Sequence, residues 1–145
     1  DKAQCFVLCA TTGLPFGFYN QAYVTITVAA TLTPSTHAGL IVNCTTDNVV
    51  VTLPATAAST NGVEYTIMNT ASAGGALLEL KTGSVDDYVI IGGTATATTN
   101  LVLANTKTTQ KAYDSITIAQ GIATGSTHSW IVINKVGTWV AQASR

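Results

Sequence analysis

A chain of 145 residues has the length of one ordinary domain, enough to bury a core without metal or disulfide staples. Charged residues are 9% of it, against roughly 25% in an average soluble domain, and the formal net charge is −1. That balance offers no basic surface to nucleic acid or anionic lipid and argues against nucleic-acid binding as the main activity.

Charge is replaced by 26 Thr, 20 Ala, 14 Val and 10 Ile. Thr, Val and Ile are stiff at χ1 and favoured on pleated surfaces, so the composition predicts an all-β fold with a hydroxyl-rich surface. No stretch approaches 18 consecutive apolar residues, which excludes a membrane-spanning helix. The 12 glycines follow no period, which excludes a collagen-like chain.

Taken in chain order, residues 3–46 contain no Asp, Glu, Lys or Arg, and the first 23 residues hold half of the chain's aromatic side chains. Thr12-Gly-Leu-Pro-Phe-Gly17 reads as irregular connection. Such a segment must cover something apolar: its own domain or a neighbouring subunit. The expected organisation is an N-terminal arm over residues 1–22 and one domain over residues 23–145. Phe6, Phe16, Phe18 and Tyr19 are the candidate contact residues of the arm.

From Tyr23 the period becomes two. Val24, Ile26 and Val28 share a face, as do Val49, Val51 and Leu53 up to Pro54. Val63, Tyr65 and Ile67 alternate with Glu64, Thr66 and Met68; Ile116 and Ile118 alternate with Ser115 and Thr117; Trp130 and Val132 alternate with Ile131 and Ile133. This is the pattern of half-buried strands. Shorter strands are expected over 39–44, 76–80, 87–91 and 101–103, and a helical turn only over 54–60. Residues 129–134 and 138–141 read as a closing hairpin around Asn134-Lys-Val-Gly137. Nine or ten closely spaced strands predict an antiparallel β-sandwich, jelly-roll-like, with an extended N-terminal arm.

Titratable groups are too few to suggest an enzyme. His128 with Asp114 lacks the G-x-S-x-G context of a hydrolase triad. Asp86-Asp87 is the only acidic pair and reads as an exposed turn, since adjacent strand residues point to opposite faces. Cys5-x-x-x-Cys9 lacks zinc-site spacing, and Gly92-Gly93 leads into no helix that could cradle phosphate. Neither a metal nor a cofactor is expected. Cys5, Cys9 and Cys44 read as free thiols, which suits assembly in a reducing cytoplasm. Asn43-Cys44-Thr45 formally matches a glycosylation sequon. Trp130 and Trp139 read as core residues before they read as a sugar-stacking platform.

In order, Val49-Val-Val-Thr-Leu-Pro-Ala55, Gly62-Val-Glu-Tyr-Thr-Ile-Met-Asn69, Leu101-Val-Leu-Ala-Asn105, Tyr113-Asp-Ser-Ile-Thr-Ile118 and Ser129-Trp-Ile-Val-Ile133 before Gly137-Thr-Trp139 form a series. Over residues 46 to 140 it resembles the small all-β modules of tailed-phage virions, found in capsid decoration (cement) proteins and in fibre proteins. The resemblance implies a non-enzymatic structural virion protein. Such a protein is made in the host cytoplasm, assembles as a homotrimer, and binds the major capsid protein on the outer surface of the head. The alternative it leaves open is a tail-fibre or head-fibre receptor-binding domain, with Trp130, Trp139 and the 121–129 loop at an exposed tip. No nucleic acid or membrane partner is implied.

Overall fold

A computed structural model describes residues 22–56, 62–71, 78–95, 101–105, 113–121 and 128–143. The described residues are mostly β. The strands are β1 (Tyr23–Ile26), β2 (Ala30–Thr31), β3 (Ile41–Cys44), β4 (Val50–Thr52), β5 (Glu64–Asn69), β6 (Leu78–Lys81), β7 (Asp87–Ile91), β8 (Thr94–Ala95), β9 (Leu101–Asn105), β10 (Asp114–Gln120), β11 (His128–Val136) and β12 (Trp139–Ala143). One helical turn, α1 (Pro34–His37), lies between β2 and β3. Of the turn expected over 54–60, Thr56 has 3-10 conformation and residues 57–60 lie outside the described residues. Pro34 at the start of the turn supplies a helical φ, and the Thr33 N–H donates to His37 Nδ1 at 3.0 Å, closing the turn on itself.

The strands form two sheets, one of seven in the order β1-β3-β5-β10-β11-β7-β8 and one of five in the order β12-β9-β6-β4-β2. The expectation of an antiparallel sandwich is corrected here, because both sheets are mixed. From β1 to β6 the chain alternates between sheets, so β1, β3 and β5 lie parallel in one while β2, β4 and β6 lie parallel in the other. Each crossover runs through a strand of the opposite sheet, so the first half winds as flattened coils. Tyr23 pairs with Ile41 and Ile41 with Thr66, one coil apart each time. The second half closes both sheets with antiparallel partners, β10 beside β5 and β9 beside β6.

A second correction concerns the chain end. β11 pairs with β10 and β7 in the larger sheet, whereas β12 pairs with β9 in the smaller one, so no hairpin joins them. Gly137 (φ 84°) turns the chain from sheet to sheet. A Cβ there would lie 2.2 Å from Asp114 Cγ, so the position excludes any side chain.

The period-two faces are the core. Val42, Val51, Tyr65, Ile67, Leu80, Leu103, Ile116, Ile118 and Trp130 are buried between the sheets. The Tyr65 and Trp130 rings meet with centroids 5.8 Å apart. Alternation in β11 breaks after Val132, where the pairing with β10 shifts register at Thr117/Ile118 and leaves Ile133 as an exposed extra residue.

β10 shows how the interior is divided. Its inward positions are Asp114, Ile116, Ile118 and Gln120: apolar in the middle and polar at both ends. At one end Asn105 Nδ2 donates to Asp114 Oδ2 (2.9 Å) and to the Thr138 carbonyl (3.0 Å), while Asn69 Nδ2 donates to Asn105 Oδ1 (2.8 Å). At the other end Asp87 accepts from the Thr56 N–H and hydroxyl, and Gln120 Nε2 donates to the Thr56 carbonyl. Both clusters tie one sheet to chain belonging to the other.

Candidate interaction face

The outward residues of the coiled half build one continuous face. Strand alternation sends Val24 and Ile26 inward, which turns Tyr23 and Thr25 of β1 outward; β3 contributes Ile41 and Asn43, and β5 contributes Met68 by the same rule. Thr70 follows β5 and Tyr113 precedes β10. Together these seven residues line a shallow groove of about 380 Å³, with no charged side chain in its lining.

Two tyrosines stand at its rim. Tyr23 is 68% exposed and Tyr113 is 67% exposed, which is unusual for side chains of this size. Tyr113 also has φ 75°, a left-handed conformation that costs a non-glycine residue about 1–2 kcal/mol. Its N–H donates to the Asn69 carbonyl at 2.8 Å, which anchors the backbone and presents the ring outward. Strain of this kind collects at functional sites. The lining is neutral and mostly apolar, with Ile41 and Met68 beside one polar pair, in which the Thr70 hydroxyl donates to Asn43 Oδ1 at 2.6 Å. Deeper in the same sheet, the Thr66 and Thr117 hydroxyls pair at 3.1 Å.

This face reaches the edge of the sheet. Among the described residues β1 is the outermost strand of one sheet and β2 of the other, and Val28 between them is 70% exposed. Ala22, the first described residue, lies at this edge, and its carbonyl accepts from the Ile41 N–H at 3.1 Å. Outermost strands carry unpaired backbone donors and acceptors and serve as templates for further chain. The arm contacts expected from sequence, Phe6, Phe16, Phe18 and Tyr19, lie outside the described residues, as do Cys5 and Cys9.

The remaining sequence candidates are distributed as follows. Trp130 is fully buried, and Trp139 is buried with its indole N–H donating to the Val136 carbonyl (3.1 Å), so neither offers a face for stacking sugars. Asp114 sits at the start of β10, whereas His128 opens β11 two residues before Trp130, the partner of Gln120 at the far end of β10. The pair is therefore held apart. Asp86 is exposed as expected, but Asp87 is not: it is 1% exposed and hydrogen bonded to Thr56. Cys44 is a free, buried thiol, and burial pushes its pKa up to about 12; burial does the same to the Tyr65 hydroxyl. Among the described residues no three His, Cys, Asp or Glu side chains lie close enough to hold a metal ion. No described helix is long and apolar enough to cross a membrane.

Sequence reading missed Tyr113. Its signal is weak, a lone aromatic before a strand, and nothing in its neighbours announces a positive φ. Comparison with family models, with curated proteins and with solved structures returned no match.

Proposed function

We propose that this chain is a structural virion protein, a capsid decoration protein that seats its uncharged tyrosine-rimmed face on the outer surface of a phage head and stabilises it. The observation that carries this reading is that face: two exposed tyrosines, one of them on strained backbone, beside a neutral groove at the edge of the described sheet. Neutral hydroxyl and amide groups can be buried against another protein without the desolvation cost of charge, and tyrosine is the residue type that anchors such contacts.

In this reading the major capsid protein is the partner, and residues 1–22 extend the contact from the same edge as an arm carrying Phe6, Phe16, Phe18 and Tyr19. The jelly-roll-like kinship with virion modules and assembly as a homotrimer belong to the same proposal. Apolar burial drives the association, at about 25 cal/mol per Å² before association costs are subtracted.

The test is rebinding of purified protein to particles stripped of it. A Tyr23→Ala/Tyr113→Ala double variant and a chain lacking residues 1–20 should both remain folded by circular dichroism. Each should lose most particle binding. A folded double variant that rebinds like the parent would refute the role of the face.

A further inference from the structure

We propose that Thr56 and Gln120 become joined by an ester bond, an internal cross-link formed by the protein on itself with Asp87 as the proton carrier. Three buried side chains from distant parts of the chain meet here: Thr56 after β4, Asp87 at the start of β7 and Gln120 at the end of β10. Thr56 Oγ1 donates to Asp87 Oδ1 at 2.5 Å, and Asp87 Oδ2 accepts from the Thr56 N–H at 3.2 Å. The carboxylate thus grips a single residue from two sides and sits where a general base for that hydroxyl must sit. Gln120 Nε2 donates to the Thr56 carbonyl at 3.1 Å, which brings the carboxamide to the same residue.

A polar clamp alone leaves two features without a role. Gln120 Oε1 is buried with no hydrogen-bond partner, and so is Trp130 Nε1. Gln120 and Trp130 are direct cross-strand partners in the β10–β11 pairing, so an orphaned acceptor and an orphaned donor occupy adjacent inward positions. Buried polar atoms are rarely left unpaired. In the proposed reaction both have work: negative charge develops on Gln120 Oε1, and the Trp130 indole N–H, on the neighbouring cross-strand position, is the donor that would turn to it.

The step balances without any co-reactant. Thr56 Oγ1 attacks Gln120 Cδ as Asp87 takes the hydroxyl proton. The tetrahedral centre then collapses, the Cδ–Nε2 bond breaks, and Asp87 returns the proton to the departing nitrogen. One ester forms and one ammonia leaves. The product ties the chain after a strand of the five-stranded sheet to the middle strand of the seven-stranded one, across 64 residues of sequence. A covalent tie of that span restricts the unfolded chain strongly. The inference is independent of what the outer face binds.

The decisive experiment is a tryptic map of the intact, denatured chain. Cleavage at lysine places Thr56 in peptide 3–81 and Gln120 in peptide 112–135. The wild-type chain should yield these two as one species, lighter than their sum by one ammonia and separated by hydroxylamine, which cleaves esters. Loss of ammonia from intact mass does not suffice, since Asn61-Gly62 within peptide 3–81 can lose it alone. Thr56→Ser should retain the cross-link, whereas Thr56→Val should release both peptides at unmodified mass and melt at a lower temperature. Folded wild-type protein yielding the two peptides separately and unmodified would overturn the proposal. So would a linked species that persists in Thr56→Val.

Discussion

Asn105→Leu tests the claim that the two sheets are held in register by a polar cluster rather than by apolar packing alone. Asn105 is fully buried and makes three side-chain hydrogen bonds, to Asn69, Asp114 and the Thr138 carbonyl. Leucine conserves the volume but leaves an amide N–H, a carboxylate oxygen and a backbone carbonyl without that partner. Each unmet group costs about 1–3 kcal/mol when it stays buried. The three are coupled and some water will enter, so they do not add fully, and a total of about 4 kcal/mol is expected. Against a domain stability of about 5–15 kcal/mol that is a large share. In urea unfolding, with a slope of about 2 kcal/mol per M, the midpoint should fall by about 2 M. Asn43→Ala, on the outward face, is the matched control and should cost less than about 1 kcal/mol. A midpoint for Asn105→Leu within about 0.5 M of the parent, at unchanged slope, would refute this account of the sheet junction.

Gly137→Ala should cost at least about 3 kcal/mol, since it adds left-handed backbone strain to a methyl group driven into the Asp114 carboxylate; thermal melting checks it. Cys44 should resist alkylation in the native state and react once unfolded. Its pKa is raised from 9.0 to about 12 by burial, so the unfolded chain loses the proton first. Its contribution is intact below pH 9 and falls by about 1.4 kcal/mol per pH unit toward pH 12; Cys44→Ala should flatten alkaline unfolding between pH 9 and 10 and lessen the slope above pH 10, where buried Tyr65 acts in the same sense. Tyr113→Gly should stay within about 1 kcal/mol of the parent, because relief of the positive φ offsets glycine's added chain entropy. The same variant should rebind particles measurably less well.

Much of the core was legible because alternation is a direct statement of which side chains face inward. Val51, Tyr65, Ile67, Ile116, Ile118 and Trp130 all lie where the period of two puts them. Strand direction was not legible, since an alternating strand reads the same whether its neighbour runs parallel or antiparallel. The coils of β1 to β6 follow from crossovers through the opposite sheet, and no local residue encodes that. The supposed final hairpin had good turn chemistry at Asn134–Gly137, yet Gly137 serves a sheet-to-sheet crossing packed on Asp114. Asp87 looked like half of a solvated pair because its partner, Thr56, is 31 residues away. The outer face was partly legible: the absence of charge in residues 3–46 foretold a neutral surface around β1 and β3, while Tyr113 enters from a different part of the chain.

The most direct test of the decoration reading is a density map of purified particles that carry this chain. The account predicts density for the fold on the outer surface of the head, in many copies, with Tyr23 and Tyr113 against the major capsid protein. Density at a fibre tip alone, or on the head with that face turned to solvent, would contradict it.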